Sequence, residues 1–232
     1  MTTKVVQFTH IGAVNFRKNR RSKNIKISVK PDKSVHVSFP YFVSAREVTA
    51  FVIKNEQWIL LQQQKFESRK NIFAEGTVVK TKIYEVRFVQ GEENSGQRVG
   101  NTITLKIADF NGEASKQFVE NTLTSIYRLE AKKLLPPRLN ELAKEHQFHF
   151  NKLTIRNNKR NWGSCSSKNN ISLNLQMMKL PDELIDYILL HELVHTEIKN
   201  HGPGFWKRLD GITNHRAKEL AREVRKYSTY TL

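Results

Sequence analysis

The feature that most constrains the fold is a change in hydrophobic period near residue 112. Before it, residues 25–29 and 35–39 alternate apolar and polar side chains, which is typical of half-buried strands. The residues between them, 31–34, predict a turn and therefore a β-hairpin. After residue 112, apolar residues recur at helical spacing: Val119, Leu123, Ile126, Tyr127 and Leu134. The change predicts an α+β protein.

We predict two domains, residues 1–112 and 113–232. The first is expected to hold a mainly antiparallel β-sheet with one helix, which begins after a capping box of Ser44 and Glu47 and runs toward Leu61. Residues 65–70 are predicted to be a linker. In the second, Pro136-Pro137 predicts a break between two helices, and Pro181 favours the start of another. Residues 153–155 and 171–175 predict a short sheet.

The charge is strongly positive. Lys and Arg number 39 against 22 Asp and Glu, a net charge of +17, and no acidic residue precedes Asp32. The densest basic cluster contains Arg17, Arg20 and Arg21. This surplus indicates a surface that binds polyanions such as nucleic acid or nucleotides, or alternatively a merely solvated basic surface.

Composition also limits the class of protein. The single cysteine, Cys165, excludes an intramolecular disulfide, and we favour a small buried residue over a nucleophile there. No apolar run is long enough to span a bilayer, and the N-terminus has no apolar segment of a signal peptide. We therefore expect a cytoplasmic protein that is not a membrane protein. The sequence does not predict an oligomeric state.

The most informative residues lie in the helix that follows Pro181. His191 and His195 are four residues apart, so a helix places both imidazoles on one face, where they can bind one ion. Zinc suits imidazole nitrogens and tetrahedral geometry. Glu192 projects beside the metal, where it can take a proton from a metal-bound water.

A third ligand is needed, and His201 is the candidate. Six residues beyond His195, it would be off the shared face if the helix continued. Asn200 can adopt the left-handed conformation, and the Gly-Pro-Gly of residues 202–204 is expected to stop the helix, so that His201 can turn back. The sequence predicts one Zn²⁺ per chain, with the fourth position open for water, which is typical of a catalytic site.

These residues resemble the signatures of the YgjP-like predicted metal-dependent hydrolases, relatives of the SprT-like and WLM zinc proteases among the zincins. The matching segments are His191-Glu192-Leu193-Val194-His195, Asn200-His201 and Phe205-Trp206, with Trp162-Gly163-Ser164-Cys165-Ser166 and Ile171-Ser172-Leu173-Asn174 before them. The resemblance extends from about residue 11 to about residue 207.

The resemblance implies a zincin-like module with a short sheet. It assigns the metal to His191, His195 and His201 and the acid/base role to Glu192. By analogy with zincins, it implies that the region of Trp162, Gly163, Ser164 and Asn174 lines the substrate cleft. Many family members carry Arg immediately before the Trp-Gly-Ser-Cys run, whereas this chain has Asn161, with Arg160 one residue earlier.

Our leading hypothesis is a zinc-dependent metallopeptidase that cleaves peptide bonds in peptide or protein substrates, with Glu192 as general base. One alternative is a metal-dependent nucleotide phosphohydrolase that releases pyrophosphate from nucleoside triphosphates. Another is a nucleic-acid-associated protease that docks through Arg17, Arg20 and Arg21.

Overall fold

The alternating segments of the N-terminal half form two four-stranded sheets. In a computed structural model, which describes residues 3–30, 32–67 and 73–231, the first sheet has the strand order β1-β2-β4-β3. Its strands are β1 (Thr3–Phe8), β2 (Gly12–Lys18), β3 (Lys26–Val29) and β4 (Val35–Phe39). The predicted hairpin is confirmed, because β3 and β4 pair antiparallel. Pro31 of the predicted turn lies outside the described residues.

The second sheet repeats this topology, although the sequence shows no repeat. Its order is β5-β6-β8-β7, and its strands are β5 (Val78–Lys80), β6 (Glu85–Gln90), β7 (Ser95–Val99) and β8 (Thr102–Ile107). In both sheets the outer pairs are antiparallel, as predicted, but the central pairs β2–β4 and β6–β8 are parallel. Alternation shows which face of a strand is buried, but not which strand lies beside it.

The single helix predicted after Ser44 is two helices, α1 (Ala45–Lys54) and α2 (Glu56–Glu67). The capping box is confirmed: the Glu47 amide donates to Ser44 Oγ at 3.3 Å, and the Ser44 amide donates to Glu47 Oε2 at 2.8 Å. Asn55 separates the helices, because its side chain donates to the Phe51 carbonyl at 2.7 Å. Of the predicted linker, residues 65–67 belong to α2, and residues 68–70 lie outside the described residues.

The chain divides into two compact units, Met1–Ile72 and Phe73–Leu232, so the division falls earlier than the predicted boundary at 112. Phe88 and Leu105 of the second sheet share one buried core with Leu123 and Leu173, whereas the first sheet has a separate core around Val14 and Val37. The change of period marks a change of secondary structure, and it does not mark the edge of a core.

The predicted break at Pro136-Pro137 is wrong, because α3 (Glu113–Glu145) continues through both prolines. Each proline inside a helix costs about 3 kcal/mol or more. Burial of Leu135, Leu139 and Leu142 contributes about 1.5–3 kcal/mol each, a total similar to the cost of the two prolines. The apolar face of the helix therefore continues across them. Asn140 also donates to the Pro136 carbonyl at 3.0 Å.

The rest of the second unit places the histidines. A three-stranded sheet, of order β10-β11-β9, comprises β9 (Lys152–Arg156), β10 (Gly163–Cys165) and β11 (Asn170–Asn174). A 3₁₀ turn (Leu175–Lys179) leads into α4 (Asp182–Glu197), α5 (Pro203–Ile212) and α6 (Ala217–Val224). Helix α4 packs on α3, β10, α5 and α6. In the described part of the chain, the helices are too short or too polar to cross a membrane.

Helix α3 is joined to the second sheet by a buried carboxylate. Glu130, which interrupts the apolar stripe in the sequence, is fully buried, and it accepts hydrogen bonds from the Ile83 amide at 2.7 Å and from the Thr81 hydroxyl. The Glu130 side chain therefore accepts hydrogen bonds from the segment between β5 and β6 instead of facing solvent.

We predict that Glu130→Ala lowers the free energy of unfolding by about 1–3 kcal/mol, because the Ile83 amide and the Thr81 hydroxyl lose their buried hydrogen-bond acceptor. Urea unfolding of the full chain measures the change. Lys132→Ala, an exposed change on the same helix, is the matched control and is expected to stay within about 0.5 kcal/mol of the parent. Equal stabilities of the two variants would contradict this role for Glu130.

Candidate metal centre

The three predicted histidines converge. His201 Nε2 lies 3.0 Å from His191 Nε2 and 3.1 Å from His195 Nε2. Ligands about 2.0–2.1 Å from a tetrahedral zinc ion are about 3.3 Å apart, so these nitrogens are spaced to share one ion. Within the described ranges, this is the one group of three His, Cys, Asp or Glu side chains that comes together in this way.

His201 reaches the site because the chain leaves the helix axis early. Helix α4 ends at Glu197, and Ile198 is extended, with φ −123° and ψ 103°. The expected left-handed Asn200 is not observed, because the extended Ile198 already turns the chain. The Gly-Pro-Gly segment, which was expected to stop α4, lies beyond the end of that helix and only begins the next one: Gly202 caps α5, and Pro203 occupies its first turn, where a missing amide hydrogen costs nothing.

Hydrogen bonding and packing fix the orientation of the rings. His195 Nδ1 lies 3.0 Å from the Ile198 carbonyl, so Nδ1 carries the proton and leaves the Nε2 lone pair for a metal. Phe205 is fully buried and packs against all three imidazoles, with centroids 4.5–4.9 Å apart. Burial, with smaller effects of His195 and His201, lowers the pKa of His191 to about 3, which keeps this imidazole neutral. The donor set therefore fits a divalent metal.

Glu192 lies beside the histidines in an unusual environment for a carboxylate. It is 5% exposed, and its Oε2 has no hydrogen-bond partner among the described residues. Burial raises the pKa of Glu192 to about 8. A nearby divalent cation would stabilise the ionised form and oppose that shift. Gly163 closes over the carboxylate, and a Cβ at this position would lie 2.6 Å from Glu192 Oε1.

A cavity of about 440 Å³ opens beside this group. It is lined by His191, Glu192 and His201 and by the predicted cleft residues Trp162 and Gly163. The remaining lining residues are Asn161, Tyr187, Ile188, Trp206, Ala221, Val224 and Arg225. Pockets of this size are typical of sites for small ligands or single side chains.

Comparison with known proteins identifies the family. Residues 23–227 match the model of the YgjP-like metallopeptidase domain. The chain belongs to the YgjP-like family. Its resemblance to that family, read from the histidine and Trp-Gly-Ser-Cys segments, is therefore confirmed. Membership of this family supports a metallopeptidase activity for the chain.

Two solved structures are similar to part of this YgjP-like chain. The metallopeptidase zymogen jannalysin of Methanocaldococcus jannaschii is 26% identical, with a TM-score of 0.35, over 39% of this chain and 92% of that one. The metallopeptidase zymogen abylysin of Pyrococcus abyssi is 25% identical, with a TM-score of 0.36, over 40% and 94%. No curated protein matches the chain.

Two residues predicted to line the cleft of the YgjP-like domain lie elsewhere. Ser164 is exposed and lines a different surface cavity with Cys165 and Arg156. Asn174 is buried, and its amide nitrogen donates to the carbonyls of Asn158 and Asn161. Asn174 therefore holds the loop that carries Trp162, and it does not contact the cavity itself. Strand alternation explains the case of Ser164, because neighbouring residues face opposite sides of a sheet.

Sequence reasoning missed several residues of the cavity, and three of them, Tyr187, Trp206 and Arg225, have aromatic or charged side chains. Tyr187 precedes His191 by one helical turn, so the same spacing that paired the histidines could have identified it. Trp206 belongs to the family signature, which assigns it no role in the cleft, but it is half-buried and its ring lies 6.3 Å from His201. Arg225 lies in a C-terminal segment of alternating basic and acidic residues, a pattern typical of a solvated face, and it approaches the site only through the packing of α6.

The predicted polyanion-binding residues belong to the first unit, whereas the metal centre lies in the second. Arg17, Arg20 and Arg21 are all exposed. The Arg20 guanidinium lies 5.5 Å from the centroid of the Tyr41 ring, and Lys18 Nζ lies 5.7 Å from it. The first unit therefore carries cations grouped around an exposed aromatic ring.

We predict that Gly163→Ala displaces the Glu192 carboxylate and lowers the free energy of unfolding by about 1–3 kcal/mol, because the added methyl group has no room. Thermal unfolding and a crystal structure of the variant measure both effects. Gly211→Ala in α5 is the matched control, since a Cβ added there would meet nothing within 4 Å, and it should be neutral or stabilising. An unmoved carboxylate with parental stability would contradict the close contact.

Proposed function

We propose that this chain is a zinc-dependent metallopeptidase, with His191, His195 and His201 binding one zinc ion and Glu192 acting as general base. The observation that carries the proposal is the convergence of three Nε2 atoms: that of His201 lies 3.0 Å from that of His191 and 3.1 Å from that of His195. Beside them lies the buried carboxylate of Glu192, one oxygen of which has no hydrogen-bond partner among the described residues. Membership of the YgjP-like metallopeptidase family supports the same activity.

The proposed mechanism assigns separate roles to the metal, to Glu192 and to the residues that line the cavity. The metal would supply Lewis acidity that polarises the scissile carbonyl and makes water more acidic. Glu192 would accept the proton of the attacking water and deliver it to the leaving amine. Because Gly163 lacks a side chain, the carboxylate fits close to the strand that carries this glycine. Trp162 and Trp206 would restrict water around the reacting bond.

The lining of the cavity favours a peptide over a nucleoside triphosphate. Phosphoryl groups are usually held by several Lys or Arg side chains or by a glycine-rich loop. Apart from the histidines, Arg225 is the one basic side chain among the described residues that line the cavity, and three aromatic side chains surround it. The nucleotide phosphohydrolase hypothesis therefore gains no support from this site. A cytoplasmic location stays a prediction from sequence.

We predict that the parent protein, supplied with zinc and then desalted, retains about one zinc ion per chain, and that His195→Ala retains little, because it loses one of three ligands. Elemental analysis gives the stoichiometry. His149→Ala removes an exposed histidine of the same unit and should retain the parental content. Equal metal contents in all three proteins would contradict the assignment.

We also predict that Glu192→Gln retains zinc and loses at least about 100-fold in kcat on a peptide substrate, because an amide cannot accept the proton of water. Mass spectrometry of a peptide library digested by the parent first supplies a cleaved substrate, and the variant is then assayed on that peptide. Metal content is measured in the same samples. Substantial turnover by the zinc-loaded variant would rule out Glu192 as the base.

A second candidate function is association with nucleic acid, and one feature of the first unit favours it. Tyr41 is 49% exposed and Phe42 is 82% exposed, next to the basic segment that contains Arg20 and Lys18. Exposed aromatic rings among cations are the groups that stack on the bases of single-stranded nucleic acid and contact its phosphates. A protease that docks in this way would act on proteins bound to nucleic acid.

We predict that the parent binds a single-stranded oligonucleotide with an affinity that falls steeply with salt, and that a variant with Arg17, Arg20 and Arg21 all changed to Ala shows a flatter salt dependence. Fluorescence anisotropy at several salt concentrations measures the slopes. A control variant with exposed Lys132, Lys133 and Lys144 changed to Ala removes the same charge from the second unit and should keep the parental slope. Absence of binding at low salt would remove this function.

A further inference from the structure

One cationic side chain of the metal-centre cavity has no assigned role. Arg225 follows the last residue of α6 and lines the cavity together with His191, Glu192 and His201. Its guanidinium makes neither a salt bridge nor a hydrogen bond with any residue in the described part of the chain. By contrast, Arg208 in α5 forms a salt bridge with Glu197. Arg216, which precedes α6, forms a salt bridge with Glu183.

The groups around Arg225 are mostly apolar. Trp162, Trp206, Ile188 and Val224 line the same cavity, and Ile188 and Val224 are buried. Such walls suit a large aromatic or aliphatic side chain, whose transfer from water is favourable. A lone cation beside them makes the environment suitable for a group that is apolar in one part and negatively charged in another.

Tyr187 links Arg225 to the histidines. Its ring centroid lies 6.0 Å from that of His191, and the positive charge of Arg225 acts on its hydroxyl. Tyr187 is 5% exposed and shares the cavity wall with both residues. Arg225, Tyr187 and His191 therefore line the same cavity beside the proposed reaction site.

We propose that Arg225 is a specificity-determining residue that binds a carboxylate of the peptide substrate while the adjacent apolar wall holds a large side chain next to the scissile bond. This inference rests on the proposed function, because it names part of that enzyme's substrate. A guanidinium can hold a carboxylate through two parallel hydrogen bonds. Glu192 is the only carboxylate among the described lining residues, so a substrate carboxylate would meet no other anion at Arg225.

The carboxylate has two possible sources, the C-terminus of a peptide or an acidic side chain. Three peptides of equal length, each with a central Phe, distinguish them. The first is amidated and has no acidic residue, the second is the same peptide with a free C-terminal carboxylate, and the third is amidated and contains one Glu. Calorimetry with full-length, zinc-supplied Glu192→Gln measures binding without turnover.

At least one of the two carboxylate peptides is expected to bind roughly tenfold more tightly than the neutral peptide, and the tighter one identifies the source. Adding Arg225→Gln should abolish this preference, and adding Arg225→Lys should preserve part of it. Arg222→Gln is the matched control, because Arg222 lies in α6 three residues before Arg225 and lines a different cavity. On a cleaved carboxylate peptide, Arg225→Gln in the active chain should raise KM and leave kcat nearly unchanged.

Equal binding of the three peptides, binding of none, or a preference that survives Arg225→Gln would overturn the role of Arg225. These outcomes differ from failure of the proposed function. If the parent takes up zinc and cleaves peptides through Glu192 while Arg225→Gln changes nothing, only the role of Arg225 is lost. If the parent neither binds zinc nor cleaves peptides, the proposed function is lost, whatever the peptide affinities.

Discussion

The metal centre depends on where helix α4 ends. His191 and His195 need an unbroken turn of helix, whereas His201 can join them only if the helix stops within a few residues. The extended Ile198 meets both needs: it turns the chain, and its carbonyl accepts the hydrogen bond that orients His195. Phe205, in the next helix, then fills the space behind all three rings. The backbone and the ligand geometry are thus coupled through one residue.

The same unit keeps polar groups in an interior that disfavours them. Glu130 accepts hydrogen bonds from an amide and a hydroxyl through Oε1. Its Oε2 and the Oε2 of Glu192 have no hydrogen-bond partner among the described residues, and burial raises the pKa of Glu192 to about 8. A buried carboxylate without partners is costly, and such groups persist at functional sites because the surrounding core is stable enough to hold them. Here that core includes the long stripe of α3, which continues across two prolines.

Much of the site could be predicted from the sequence, because its ligands follow local spacing. His191, Glu192 and His195 lie on one helix, and the predicted end of that helix before His201 is observed, although it falls at Glu197 and not at the Gly-Pro-Gly segment. The features that sequence missed depend on contacts between distant segments: the parallel central strand pairs, the intact α3 and the approach of Arg225 to the cavity.

Asn161, where many family members carry Arg, also lines the cavity, and its amide donates to the Gly163 carbonyl at 3.0 Å.

Everything proposed for the catalytic unit requires that three imidazoles hold one zinc ion beside Glu192. X-ray absorption at the zinc edge of the loaded full-length protein observes that coordination itself. We predict a shell of imidazole nitrogens at about 2.0–2.1 Å with no sulfur. A sulfur neighbour at about 2.3 Å would instead indicate that Cys165 binds the metal, and that result would contradict the three-histidine site.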